Sequence, residues 1–307
     1  MGENDCVNVW GGNRLKIVCS SSLIHHINNF YQNNCNMNIL MPPDTDPNTR
    51  SMHLAFDDPW FMQRDENRGI RLQLELLKAD LTQTEAGIQH TVVVFGSARF
   101  VSFEQAQSLL AQAETSQDAN LLAKAKTALK NAAYYEAARN FAKLVAADSL
   151  HVPQEQRLTI CTGGGPGIME AANRGASEAG AHSVALNISL PHEQRPNPYV
   201  TEHLSFNFHY FAIRKMHFVM RAKALVAFPG GFGTMDELFE ILTLVQTGKT
   251  PRVPILLFGS DYWKKVVNFE AMQTEGTVNH EDLACFQYVD TPEQAWEVIK
   301  SFHSDSR

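Results

Sequence analysis

Thr91-Val92-Val93-Val94-Phe95 is an unbroken apolar run that stops at Gly96-Ser97. A strand buried on both faces reads this way, because a parallel sheet covered by helices has no polar side to alternate with. Comparable short runs recur at Leu158–Thr162, Ser183–Ile188, Ala224–Phe228, Ile255–Phe258 and Phe286–Val289. Helical spacing separates most of them, over 167–179, 208–222, 235–247, 261–272 and 292–303. Residues 102–148 contain neither Pro nor Gly and are rich in Ala, Leu and Gln, and the polar stretch Thr115–Asn120 predicts a break into two helices. Upstream, Ile70, Leu72, Leu74, Leu76, Leu77 and Leu81 predict a further helix within 63–81 that packs on the main domain. The alternation implies an α/β fold: a doubly wound, Rossmann-like parallel sheet flanked by helices, with an extra N-terminal helix and a helical insertion after the first strand. Ligands of such sheets bind at the carboxyl ends of the strands.

Residues 1–50 break the pattern. They are rich in Asn and Ser, carry Cys6, Cys19 and Cys35, and end in the turn-rich Pro42-Pro43-Asp44-Thr45-Asp46-Pro47. They read as a poorly ordered leader, with Met41 and Met52 as alternative starts. Residues 51–90 form a helical extension and 91–307 the main domain. The formal charge of -7 argues against nucleic acid, which demands a basic face. Five cysteines, an odd number without a C-x-x-C pair, argue against a disulfide framework or a zinc site and for a reducing compartment. No apolar run approaches a membrane span, and no basic segment followed by an apolar core opens the chain. The expected location is cytoplasmic. The histidines lack ligand spacing, so no metal is expected.

Two strand-to-helix turns are dense in glycine: Thr162-Gly163-Gly164-Gly165-Pro166-Gly167 and Pro229-Gly230-Gly231-Phe232-Gly233-Thr234. Glycine lets the backbone approach a ligand and aim N–H groups at it, and the helix that follows adds partial positive charge. Such a turn suits a phosphate. Pro166 fits a first helical position. Neither turn matches G-x-G-x-x-G, which disfavours a dinucleotide. Gly248-Lys249-Thr250 imitates the end of a P-loop but closes a helix instead of opening one.

Glu237 has two readings. Thr234-x-x-Glu237 is a capping box, worth about 1 kcal/mol of helix stability and implying no chemistry. Alternatively, a carboxylate beside a phosphate site has a catalytic task. Glu237→Gln separates them, since it keeps much of a cap and removes the charge. Arg214, His217 and Arg221 fall at i, i+3, i+7 and could form a cationic helix face, or an ordinary solvated stripe. The stiff loop Asn187–Tyr199 follows a strand and could stand over the site.

Gly163–Glu170, the Arg214-Lys215 pair and Pro229–Glu237 together resemble the LOG ("Lonely Guy") family, long named "possible lysine decarboxylases". The resemblance extends from about Val92 to Ile299. It implies a homodimer without cofactor that hydrolyses the N-glycosidic bond of nucleoside 5′-monophosphates, AMP or cytokinin riboside monophosphates among them, to free base and ribose 5-phosphate. It maps a catalytic pair onto Arg214 and Glu237, and a phosphate loop onto Gly230, Gly231, Gly233 and Thr234. Gly164, Gly165, Lys215 and Glu193 are further candidates for substrate contact, with Glu193 and Glu170 considered as proton donors to the base. Arg214 is expected to hold the Glu237 carboxylate ionised. Neither Lys215 nor Lys249 has the setting of a Schiff-base lysine. The alternative is a non-catalytic nucleotide or molybdenum-cofactor carrier of the same fold.

Overall fold

The computed structural model describes residues 52–116, 118–189 and 195–304; the expected leader over 1–50 and Glu193 lie outside them. The chain divides into two compact units, 1–67 and 68–307. In the first, Pro59–Met62 forms one helical turn whose N–H groups at Trp60 and Phe61 are capped by the Asp58 carboxylate.

The second unit holds a seven-stranded, all-parallel sheet in the order β4-β3-β2-β1-β5-β6-β7. The strands are β1 His90–Phe95, β2 Leu158–Thr162, β3 Ser183–Ile188, β4 Ser205–Phe208, β5 Ala222–Ala227, β6 Ile255–Phe258 and β7 Gln287–Val289. The helices are α1 Arg68–Glu85, α2 Phe103–Ser116, α3 Ala119–Ser149, α4 Ile168–Glu178, α5 Phe211–Met220, α6 Phe232–Gln246, α7 Ser260–Val266, α8 Phe269–Thr274 and α9 Pro292–Ser304.

Side chains of one strand alternate between two cores. Val93 and Phe95 face a layer that includes Ile213, Phe218, Leu238, Ile241 and Trp263. Val92 and Val94 face Tyr135, Phe141, Val145, Ile168, Ala171 and Trp296. Burial on both faces explains why the strands read as continuous apolar runs.

The break in 102–148 falls where the polar stretch predicts it. Asp118 accepts from the N–H groups of Asn120 (2.7 Å) and Leu121 and opens α3. Four expectations need correction. The edge strand β4 carries only Phe206 and Phe208 as buried residues, too short a signal for the apolar pattern. Val267 and Asn268 divide 261–272 into α7 and α8, with the Asn268 side chain capping the latter. Pro166 precedes the N-cap Gly167 instead of opening α4, because Gly167 takes a left-handed φ of 73°. Helix α6 starts at Phe232, three residues earlier than the periodicity implied. Among the described residues no helix is long and apolar enough to cross a membrane.

Candidate active site

From β1 the chain runs outward through β2, β3 and β4, then returns to β5 and runs the other way through β6 and β7. Connections that diverge from neighbouring strands leave a crevice at their carboxyl ends. A cleft of about 810 Å³ opens there, walled by the Phe95–Phe100 segment after β1, Gly163 after β2, and Pro229–Glu237 after β5.

The β5–α6 turn presents an uncapped helix end to this cleft. Gly231 is the N-cap, and among the described residues no side chain caps the first turn. The N–H groups of Phe232, Gly233 and Thr234 therefore remain for a ligand. Two hydrogen bonds hold the turn: Ser97 N–H donates to Pro229 O at 2.9 Å, and Tyr262 Oη donates to Gly230 O. A methyl group on Gly230 would lie 2.1 Å from the Thr234 hydroxyl, so the close approach requires glycine. The capping box is overturned by the early start of α6. Thr234 is the third residue of the helix and Glu237 the sixth, beyond reach of any N-cap N–H.

Glu237 instead projects from the first turns of α6 toward α5, and both its side chain and that of Arg214 are nearly buried (10% and 12% exposed). Arg214 Nη1 lies 3.5 Å from Glu237 Oε1, an ion pair looser than a direct hydrogen bond. Arg214 Nε donates to Leu186 O at 2.7 Å, and its guanidinium lies over the Phe218 ring. A methyl group on Gly163 would stand 2.5 Å from Arg214 Nη2, so this glycine makes room for the guanidinium. Burial pushes the Glu237 carboxyl up to about 7, outweighing the opposing pull of Arg214 and Lys215. That corrects the expectation that Arg214 keeps it firmly ionised. A carboxyl poised at neutrality can exchange protons with a reacting water.

The remaining expected residues separate. Gly230, Gly231, Gly233 and Thr234 line the cleft with Arg214 and Glu237. Gly164 and Gly165 lie buried behind it: Asn197 Nδ2 donates to both carbonyls, and Thr162 Oγ1 accepts from Gly164 N–H. They shape the turn without lining the cleft. Lys215 points away, pairing with Asp236 (3.0 Å) and Glu240 (2.8 Å). Glu170 accepts from Tyr135 Oη and lines no part of the cleft. The proposed cationic face dissolves: His217 is buried, and Arg221, beyond the end of α5, binds Asp80, Thr84 and Ile88 O. Ser97, Arg99, Asn131, Tyr134 and Tyr262 also line the cleft, and no local motif marks them.

Residues 169–299 match the family described as possible lysine decarboxylase, a span that includes Arg214 and the whole Pro229–Glu237 turn. That stretch is similar to the LOG family. It is 32% identical over 128 residues to the pyrimidine/purine nucleotide 5′-monophosphate nucleosidase of Escherichia coli K12, which covers 37% of this chain and 28% of that protein. It is 29% identical over 122 residues to the cytokinin riboside 5′-monophosphate phosphoribohydrolase LOG7 of Arabidopsis thaliana, covering 38% of this chain and 53% of the relative. The matched stretch thus spans about half or less of each curated relative. A molybdenum-cofactor carrier protein from Chlamydomonas reinhardtii superposes over 71% of this chain and 99% of its own, at 18% identity and a TM-score of 0.42.

Proposed function

We propose that this chain, which resembles the LOG family, hydrolyses the N-glycosidic bond of nucleoside 5′-monophosphates to free base and ribose 5-phosphate. The observation that carries the reading is the near-buried Arg214–Glu237 pair, placed just past an uncapped helix start in the crevice between β1 and β5. Glu237 lies five residues beyond Phe232, about 7.5 Å along the helix axis, comparable to the length of a ribose 5-phosphate. A phosphate on the first-turn N–H groups would bring C1′ toward the carboxylate.

Breaking the bond sends its electron pair to the base nitrogen and leaves positive charge on C1′ and the ring oxygen. The Glu237 carboxylate stabilises that charge and accepts a proton from the water whose oxygen bonds C1′. The released base takes up one proton. Arg214 fixes the position of Glu237 and offers its remaining donors to the sugar. Lysine decarboxylation would require an imine-forming lysine in the cleft. No described lysine lines it, and Lys215 is engaged by Asp236 and Glu240, so those residues do not fit.

The test is release of base and ribose 5-phosphate from AMP, CMP, GMP and UMP. Wild type should turn over at least one of them. Glu237→Gln should lower kcat by on the order of a hundredfold or more while still binding ribose 5-phosphate. Tight binding of a nucleotide or a pterin phosphate without release of any base would assign a carrier instead.

A further inference from the structure

Two arginines line the cleft, and one of them is already occupied: Arg214 spends its charge on Glu237 and Leu186 O. The other ionisable groups there whose charge matters at neutral pH are the carboxylates of Asp236 and Glu237. A 5′-phosphate would add about two further negative charges at pH 7. The uncapped start of α6 supplies only about half a positive charge. Among the described residues that line the cleft, Arg99 is the remaining cation.

Arg99 is held by its backbone and free at its tip. Ser97 is fixed at three points: its N–H donates to Pro229 O (2.9 Å), its carbonyl accepts from Ile168 N–H (3.0 Å), and its hydroxyl accepts from Arg99 N–H (3.1 Å). The segment is thereby tied to both glycine turns at once. A methyl group on Gly167 would lie 2.2 Å from Ser97 O, which shows how closely that turn supports it. Among the described residues no carboxylate pairs with the Arg99 guanidinium.

We infer that Arg99 is the cation that recognises the 5′-phosphate, clamping it from the β1 side against the N–H groups of α6, and so selects nucleotides over nucleosides. This rests on the hydrolase reading above. A guanidinium can grip two phosphate oxygens in parallel, which an ammonium cannot.

The experiment compares wild type, Arg99→Ala and Arg99→Lys by kcat/KM on AMP and adenosine, and by calorimetric binding of ribose 5-phosphate. In Arg99→Ala the preference for AMP over adenosine should fall roughly 10- to 100-fold, with a matching loss of ribose 5-phosphate affinity. Arg99→Lys should recover part of both. An Arg99→Ala variant with the wild-type preference and the wild-type ribose 5-phosphate affinity overturns the inference. Arg99 is exposed, so its loss should leave the melting temperature unchanged and the variant folded. If wild type releases base from no nucleotide, the hydrolase reading falls. The binding comparison then decides Arg99 alone: loss of ribose 5-phosphate affinity in Arg99→Ala upholds it, and unchanged affinity removes it.

Discussion

A carboxyl group buried beside an arginine has two opposing pressures on its proton. At Glu237 burial wins, and the group titrates near 7 instead of near 4.5. The unfolded chain releases this proton near 4.5, the folded chain near 7, so between those values the native state binds more protons. Stability therefore falls as pH rises through that window. Glu237→Gln cannot titrate, while its effect on the Arg214 charge is constant across the range. The stability of wild type relative to Glu237→Gln should thus drop by about 3 kcal/mol between pH 4 and pH 8. Denaturant unfolding of both proteins across that range measures it, and a flat difference would mean that Glu237 has an ordinary carboxyl. The same titration should appear in catalysis as an acid limb of kcat/KM with an apparent pKa near 7, since the ionised form is required. Folding thus tolerates a costly residue at the position where the proposed chemistry needs it.

Helix α5 carries Arg214, and α1 holds α5 at both ends. The Glu75 carboxylate accepts from His209 N–H (2.8 Å) and Tyr210 N–H (3.2 Å), just before α5 begins without a side-chain cap of its own. At the far end Arg221 donates to Asp80 and Thr84 of α1. Glu75→Ala should cost about 1 kcal/mol of stability, as the loss of an N-cap does. It should also lower kcat several-fold with little change in KM, because Arg214 and not the phosphate turn is displaced. Glu75→Gln, with one accepting oxygen left, should recover part of kcat. Equal loss in both kcat and 1/KM would place the effect at the phosphate site and refute this role. Most elements were legible in the chain, because strands buried on both faces announce themselves as unbroken apolar runs. The edge strand β4 was not, since four residues with alternating Phe carry little periodic signal. The glycine turn after β5 and Arg214, which line one cleft, were legible as local motifs and by resemblance. Arg99, Asn131, Tyr134 and Tyr262 were not, because they come from three separate segments (the turn after β1, α3 and α7) and only the sheet order brings these to one crevice. The early start of α6 was hidden by glycines, which periodicity reads as turn.

At the scale of the whole chain, the crevice lies where the strand order reverses, so a ligand in it would touch segments from both halves. Ser97 and Gly163 stand on the β1–β2 side, Gly230–Thr234 and Tyr262 on the β5–β6 side. Ribose 5-phosphate seated there would bind only the folded chain. At a hundred times its dissociation constant it adds about 2.7 kcal/mol to stability. For a folded unit of this size each kcal/mol raises the melting temperature by roughly 2–4 °C. Saturating ribose 5-phosphate should therefore raise the melting temperature by about 5–10 °C. Glu237→Gln should retain the shift, because the proposed phosphate contacts are backbone groups and Arg99. Arg99→Ala should lose about half or more of it at the same concentration, and ribose without a phosphate should produce none in any of the three proteins. Thermal unfolding of the three proteins with both sugars distinguishes the cases. A shift produced equally by ribose would mean that the sugar carries the binding and the glycine turn does not. A shift lost in Glu237→Gln would mean that the carboxylate, by holding the α5–α6 contact through Arg214, preorganises the phosphate site as well as the reacting carbon.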